Sequence, residues 1–95
     1  MNVKVFRMNT GEEVIFTLIE EDDQTIGVQN PLVAVPNAQG QVGFVPWSTL
    51  SKEDEVIKVS KEYIVYVIEA RDEIVENYEK IFSPIQTPSK KLILK

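Results

Sequence analysis

The chain has 95 residues, 43% hydrophobic and 26% charged, with a formal net charge of -5, no cysteine and no histidine. One domain of this size has a narrow stability margin, and without thiol or imidazole it offers no disulfide, no zinc–thiolate site and no ordinary neutral-pH general base, so an enzyme is the least supported class. The acidic balance argues against non-specific duplex binding. No apolar run nears the roughly 20 residues of a bilayer span, and Met1-Asn2-Val3-Lys4 lacks a signal-peptide core, so a cytoplasmic protein away from membranes is expected.

Val3 to Met8 reads as a first strand, rich in β-branched and aromatic residues, and Asn9-Thr10-Gly11 supplies its tight turn. In the next run Val14, Phe16 and Leu18 share one face and Ile15, Thr17 and Ile19 the other, so both faces of this strand are expected to be covered. The acidic stretch Glu20-Glu21-Asp22-Asp23 then breaks the pattern. Thr25 to Val28 resumes it, with Gly27 marking a bulge or a close backbone approach, and Pro31 forces a bend before Leu32 to Val35 continues.

Asn37 to Gly40 is a turn, Val42 to Trp47 a further strand, and Ser48 to Asp54 a polar loop beginning with a brief helical turn. Glu55 to Ser60 and Tyr63 to Ile68 complete the β pattern. From Arg71 the period changes, and Ile74, Val75, Tyr78, Ile81 and Phe82 form one helical face, with Asp72 and Glu73 near its start and Lys80 near its end. The remainder, Ile85 to Lys95, fits a loose tail or an extra strand docked elsewhere.

Met8, Gly11, Leu18 and Asp22 reproduce, in order, the first sequence motif of Sm-like proteins: an apolar residue, a turn glycine, then leucine and aspartate around a bent second strand. The run Val59-Ser60-Lys61-Glu62-Tyr63-Ile64-Val65-Tyr66-Val67 resembles the second motif in outline, with Ser60-Lys61 where the family carries Arg-Gly. This resemblance implies a mainly β fold, a small, strongly bent Sm-like (SH3-type) barrel of about five strands. The barrel would span residues 1–70, with a C-terminal helix packed on it over 71–82 and a tail over 83–95. It also implies a homo-oligomeric ring, roughly a pentamer to heptamer, built by pairing of exposed edge strands.

The implied function is binding of single-stranded RNA or DNA on pore-lining loops, in nucleic-acid processing or chaperoning, with no cofactor, metal or covalent chemistry. Phe16 stands where the family has glycine in the bent strand, so the bend must be made differently. The family places its helix before the first strand, whereas here the helix follows the barrel, and the loop Ser48 to Glu55 fits divergent, phage-associated members.

Lys61 with Ser60 would face the pore, where symmetry multiplies one lysine into a ring of charge. Gln24 and Thr25 would hydrogen-bond a base edge or phosphate from the adjacent loop, and Tyr63 is the candidate stacking residue, with Tyr66, Phe44 and Trp47 as further aromatics. An exposed lysine closing a turn and turn-forming Gln and Thr are the simpler roles of the same residues. Trp47 after Pro46 is the candidate interface aromatic. The acidic cluster lacks the alternating spacing of a calcium loop and reads as solvated. The alternative function is a structural or assembly module whose ring contacts protein without nucleic acid.

Overall fold

The computed structural model describes residues 1–36 and 38–82. Within them lie β1 (Val3–Met8), β2 (Glu13–Glu21), β3 (Thr25–Pro36), β4 (Val42–Pro46), β5 (Val56–Ser60), a 3₁₀ turn (Lys61–Tyr63), β6 (Ile64–Glu69) and α1 (Asp72–Phe82). All strand pairs are antiparallel, in the order β4-β3-β2-β1-β6, with β5 added to the first half of β3. The fold is therefore mainly β, small and strongly bent, with a C-terminal helix. Six strands stand against the expected five or so, because β4 folds back on the outer half of β3 as its own arm.

Two bulges make the bend that glycine does not. Leu18 pairs with Val28 but Glu20 with Gly27, which leaves Ile19 as an extra residue on β2; Thr17 pairs with Gln29 but Ile15 with Leu32, which places the extra residue of β3 at Asn30 and Pro31. Asn30 has a φ of 53°, in the left-handed region, and it inverts the side-chain alternation of β3. Ile26 and Val28 before it and Val33 after it all face the barrel interior, while Leu32 faces the other way. Gly27 sits opposite the first bulge. A Cβ there would lie 2.6 Å from Cγ of Glu20 and 3.1 Å from Cγ1 of Val56, the close approach expected of it.

Both faces of β2 are covered from Val14 to Thr17, as its sequence requires, whereas Ile19, expected on a covered face, is the bulged residue and is exposed. Inside the barrel Phe6, Val14, Phe16, Ile26, Val28 and Val59 form one core, with Phe6 and Phe16 ring centroids 4.9 Å apart. On the outer face Val3, Ile15 and Leu32 pack under Tyr78 of α1, with Val5, Phe44, Ile74, Val75 and Phe82 around them. Burying each of the large side chains contributes about 1.5–3 kcal/mol.

Tyr78 is the keystone of the outer layer, with no exposed surface. Its hydroxyl lies 2.9 Å from Oγ1 of Thr17 and donates to the carbonyls of Asn30 (3.0 Å) and Gln29 (3.2 Å). The helix thus satisfies backbone groups that the bulge in β3 takes out of the ladder.

Three local expectations are corrected. Ser48 to Asp54 contains no helical turn; it is held by Gln29 Nε2 donating to the Asp54 carbonyl (2.8 Å), and Asp54 adopts a φ of 62°. The helical turn falls instead at Lys61–Tyr63, where the Ser60 hydroxyl accepts from the Glu62 N–H at 3.3 Å, so Tyr63 starts no strand. Ile81 is exposed, because α1 rests on the sheet through Ile74, Val75, Tyr78 and Phe82 and Ile81 falls beside that stripe. The expectation for Ile85 to Lys95 lies outside the described residues.

Candidate nucleic-acid interface

The β2–β3 turn is built by Asp22. Its Oδ1 accepts from the N–H groups of Gln24 (2.8 Å) and Thr25 (2.7 Å), and its carboxylate also takes the Thr25 hydroxyl at 3.2 Å. The backbone closes the same turn, Asp22 N–H donating to the Thr25 carbonyl at 3.0 Å. The two amide N–H groups stabilise the ionised carboxylate and hold the Asp22 carboxyl below its usual range.

Across from this turn, Ser60 pairs with Thr25 in the β3–β5 ladder, and the Lys61 N–H donates to the Gln24 carbonyl at 2.8 Å. Gln24, Thr25, Ser60 and Lys61 therefore converge, and with Asp23 and Glu62 they line a shallow hollow of about 340 Å³. Tyr63 does not line it. It closes the 3₁₀ turn, its carbonyl accepting from the Asn9 N–H at 2.8 Å, and its side chain is exposed.

The electrostatics are balanced rather than cationic. Nζ of Lys61 lies 2.8 Å from Oε2 of Glu21, and Lys58 lies 3.1 Å from Oε2 of Glu20. The acidic stretch thus divides its charges, two carboxylates meeting lysines from β5 and the 3₁₀ turn while Asp22 caps its own turn. Among the described residues no group of three or more acidic side chains is arranged to hold a metal ion. The Thr25 and Ser60 hydroxyls are already used locally and the Lys61 ammonium is paired with Glu21, so a ligand at this hollow must compete with contacts already made.

The other aromatics are committed elsewhere. Trp47 packs edge-on against Phe6 at 5.6 Å and is half-buried against the barrel core. Tyr66 receives Nε of Arg7 at 3.0 Å, donates to Glu13 at 3.1 Å and lies under the Arg7 guanidinium. Phe44 packs on the outer core. Sequence reasoning missed Glu21, whose partner is 40 positions away. It also passed over Asp22 as turn-former, although an Asp two and three residues before the amides it accepts from, Gln24 and Thr25, is a recognisable Asx-turn signal.

Two strands present an open edge. Among the described residues β5 pairs only with β3 and β6 only with β1, which leaves the other edge of each strand open. Ile64 to Ile68 of β6 carries no charged residue, and Val65 at 61% and Val67 at 44% are exposed along it. No protein-family model matches this sequence, and none of the curated proteins matches it.

Proposed function

We propose that this chain is a divergent, phage-associated Sm-like protein whose copies join the open edge of β5 to that of β6 and close into a ring of roughly five to seven subunits. Single-stranded RNA or DNA then contacts the cluster of Gln24, Thr25, Ser60 and Lys61, repeated once per subunit. The observation that carries this reading is the convergence of those four residues at the end of β5, a strand whose outer edge is unpaired among the described residues. An open edge free of charged side chains is an unprotected template for another strand, and pairing it buries Val65 and Val67. Each subunit supplies only one weak cationic contact, so useful affinity depends on repetition.

Light scattering tests the assembly, and a monomer across the accessible concentration range refutes it. Fluorescence anisotropy with short labelled oligonucleotides over a salt series tests the binding, which must weaken as salt rises. A second reading, a protein-binding assembly module, is favoured by one observation: Lys61 and Lys58 are both neutralised by neighbouring carboxylates. A discrete multimer with no oligonucleotide affinity at low salt selects it.

A further inference from the structure

None of the 10 basic and 15 acidic residues lies between Gln24 and Ser51. Burial accounts for the first part of this run, where Ile26, Val28 and Leu32 belong to the two cores, but not for the arm that β4 forms with the outer half of β3. There Val35, Val42 and Val45 are 43%, 45% and 47% exposed, and among the described residues β4 pairs only with β3. An exposed apolar edge with no charge to guard it is open to a further strand.

The groups on that edge follow from the ladder. The Trp47 N–H donates to the Pro31 carbonyl at 3.0 Å, so by antiparallel alternation Val45 and Gly43 also turn their amides toward β3, while Val42, Phe44 and Pro46 turn away. Pro46 has no N–H. The edge therefore presents two donors, at Val42 and Phe44, and three acceptors, the carbonyls of Val42, Phe44 and Pro46.

We propose that β4 pairs antiparallel with β4 of a second copy of this chain, across a two-fold axis at Phe44. In that register each Phe44 faces its counterpart and each Val42 faces the partner's Pro46, so the two five-residue strands overlap completely. Each Phe44 N–H donates to the partner's Phe44 carbonyl and each Val42 N–H to the partner's Pro46 carbonyl. Every donor on both edges is used, and the missing N–H of Pro46 leaves only the terminal Val42 carbonyl to water. On the opposite face each exposed Val45 lies over the partner's Gly43, where no side chain competes for the space.

The charge pattern favours a second copy over a foreign strand. Across a two-fold axis a residue near the axis meets its own counterpart, so any charge there would meet a like charge, and this arm carries none. The hollow beside Val42 and Phe44, which Glu13, Glu69 and Arg71 also line, takes no part in the contact. Nor do β5 and β6, so the pairing stands whether or not the ring forms. Five residues a side are few beside the roughly 20–30 of a standard stable interface, so the contact is reversible and depends on concentration.

Sedimentation of the full-length chain over a concentration series should show the mass doubling, from monomer to dimer or from one ring to two. The Val42 N–H has no partner among the described residues, so Val42→Pro keeps the hydrogen bonds within the subunit and deletes two of the four between copies. It should weaken the doubling at least about tenfold while far-UV dichroism is unchanged. A mass that never doubles, or doubles equally in Val42→Pro, overturns the proposal.

The absence of native cysteine gives the register its own test. Gly43 and the partner's Val45 form a non-hydrogen-bonded pair, with Cα atoms about 4.5 Å apart and within reach of a disulfide. A Cβ at Gly43 meets nothing closer than the Val35 carbonyl at 3.7 Å. Mixed Gly43→Cys and Val45→Cys chains should therefore cross-link under mild oxidation faster than mixed Leu50→Cys and Val45→Cys chains, the random-encounter control, since Leu50 is 95% exposed. Equal rates refute the register. Protection of the Phe44 amide from exchange should rise with protein concentration, and protection that is already complete in a monomer would place another part of the same chain on the edge and overturn the pairing.

Discussion

Replacing Tyr78 by Phe removes one oxygen from a site with no exposed surface and leaves the ring, 4.9 Å from that of Phe82, in place. The oxygen accepts from Thr17 and donates into the carbonyls of Gln29 and Asn30, so its loss strands a buried hydroxyl and the two carbonyls of the bulge. A buried hydrogen bond contributes about 1 kcal/mol net, and a partner left unsatisfied costs about 1–3 kcal/mol. Two such bonds with partial relaxation give an expected loss of about 2 kcal/mol, or roughly 8–16 °C in Tm for a domain of this size.

Urea unfolding at fixed protein concentration, followed by Trp47 fluorescence and far-UV dichroism, measures it. A double-mutant cycle with Thr17→Val isolates the side-chain pair. Burial also raises the Tyr78 ionisation above its usual range. The neutral phenol therefore adds stability that is whole below about pH 10 and is lost as pH climbs through the raised value, and Tyr78→Phe should lack that alkaline loss. A Tyr78→Phe protein within about 0.5 kcal/mol of the parent would show that the bulge carbonyls do not need the helix.

Glu21→Gln removes the carboxylate held by Lys61, so oligonucleotide affinity should rise several-fold at low salt, whereas Lys61→Ala should lower it; an unchanged anisotropy midpoint in both sinks the assignment of the site. Gly11 has a φ of 101°, so Gly11→Ala should cost about 1–2 kcal/mol in chemical denaturation although nothing lies near the added methyl. The Asp22 carboxyl is held below its ordinary range by the Gln24 and Thr25 amides, so its contribution is present above about pH 4 and is lost as pH falls through the lowered value. Denaturation curves from pH 6 to pH 2 should lose part of their acid slope in Asp22→Ala, and an identical slope refutes the capping role.

Much of this architecture is legible in the residues. The two apolar faces of Val14 to Ile19 foretell a strand between two layers, and the helical stripe from Ile74 to Phe82 foretells what covers the outer one. Four of the five candidate site residues meet at one corner because Asp22 and Ser60 set adjacent turns by local chemistry. Long-range partners leave no such trace in periodicity. Nothing in the alternation of β3 announces that Asn30 will turn left-handed, that Tyr78 will reach the carbonyls there, or that Glu21 will hold Lys61. Trp47 illustrates the ambiguity of a large aromatic, since its size suits an interface and a barrel plug equally, and its contact with Phe6 is not written in the local pattern.

Because β2 gives alternate side chains to both cores, neither can be dismantled without the other. Peeling α1 away would lay bare Ile15 and Thr17 on the strand whose opposite side carries Val14 and Phe16. The domain is built to melt as one cooperative unit, with matching midpoints for helix and sheet, and not by early detachment of its C-terminal helix.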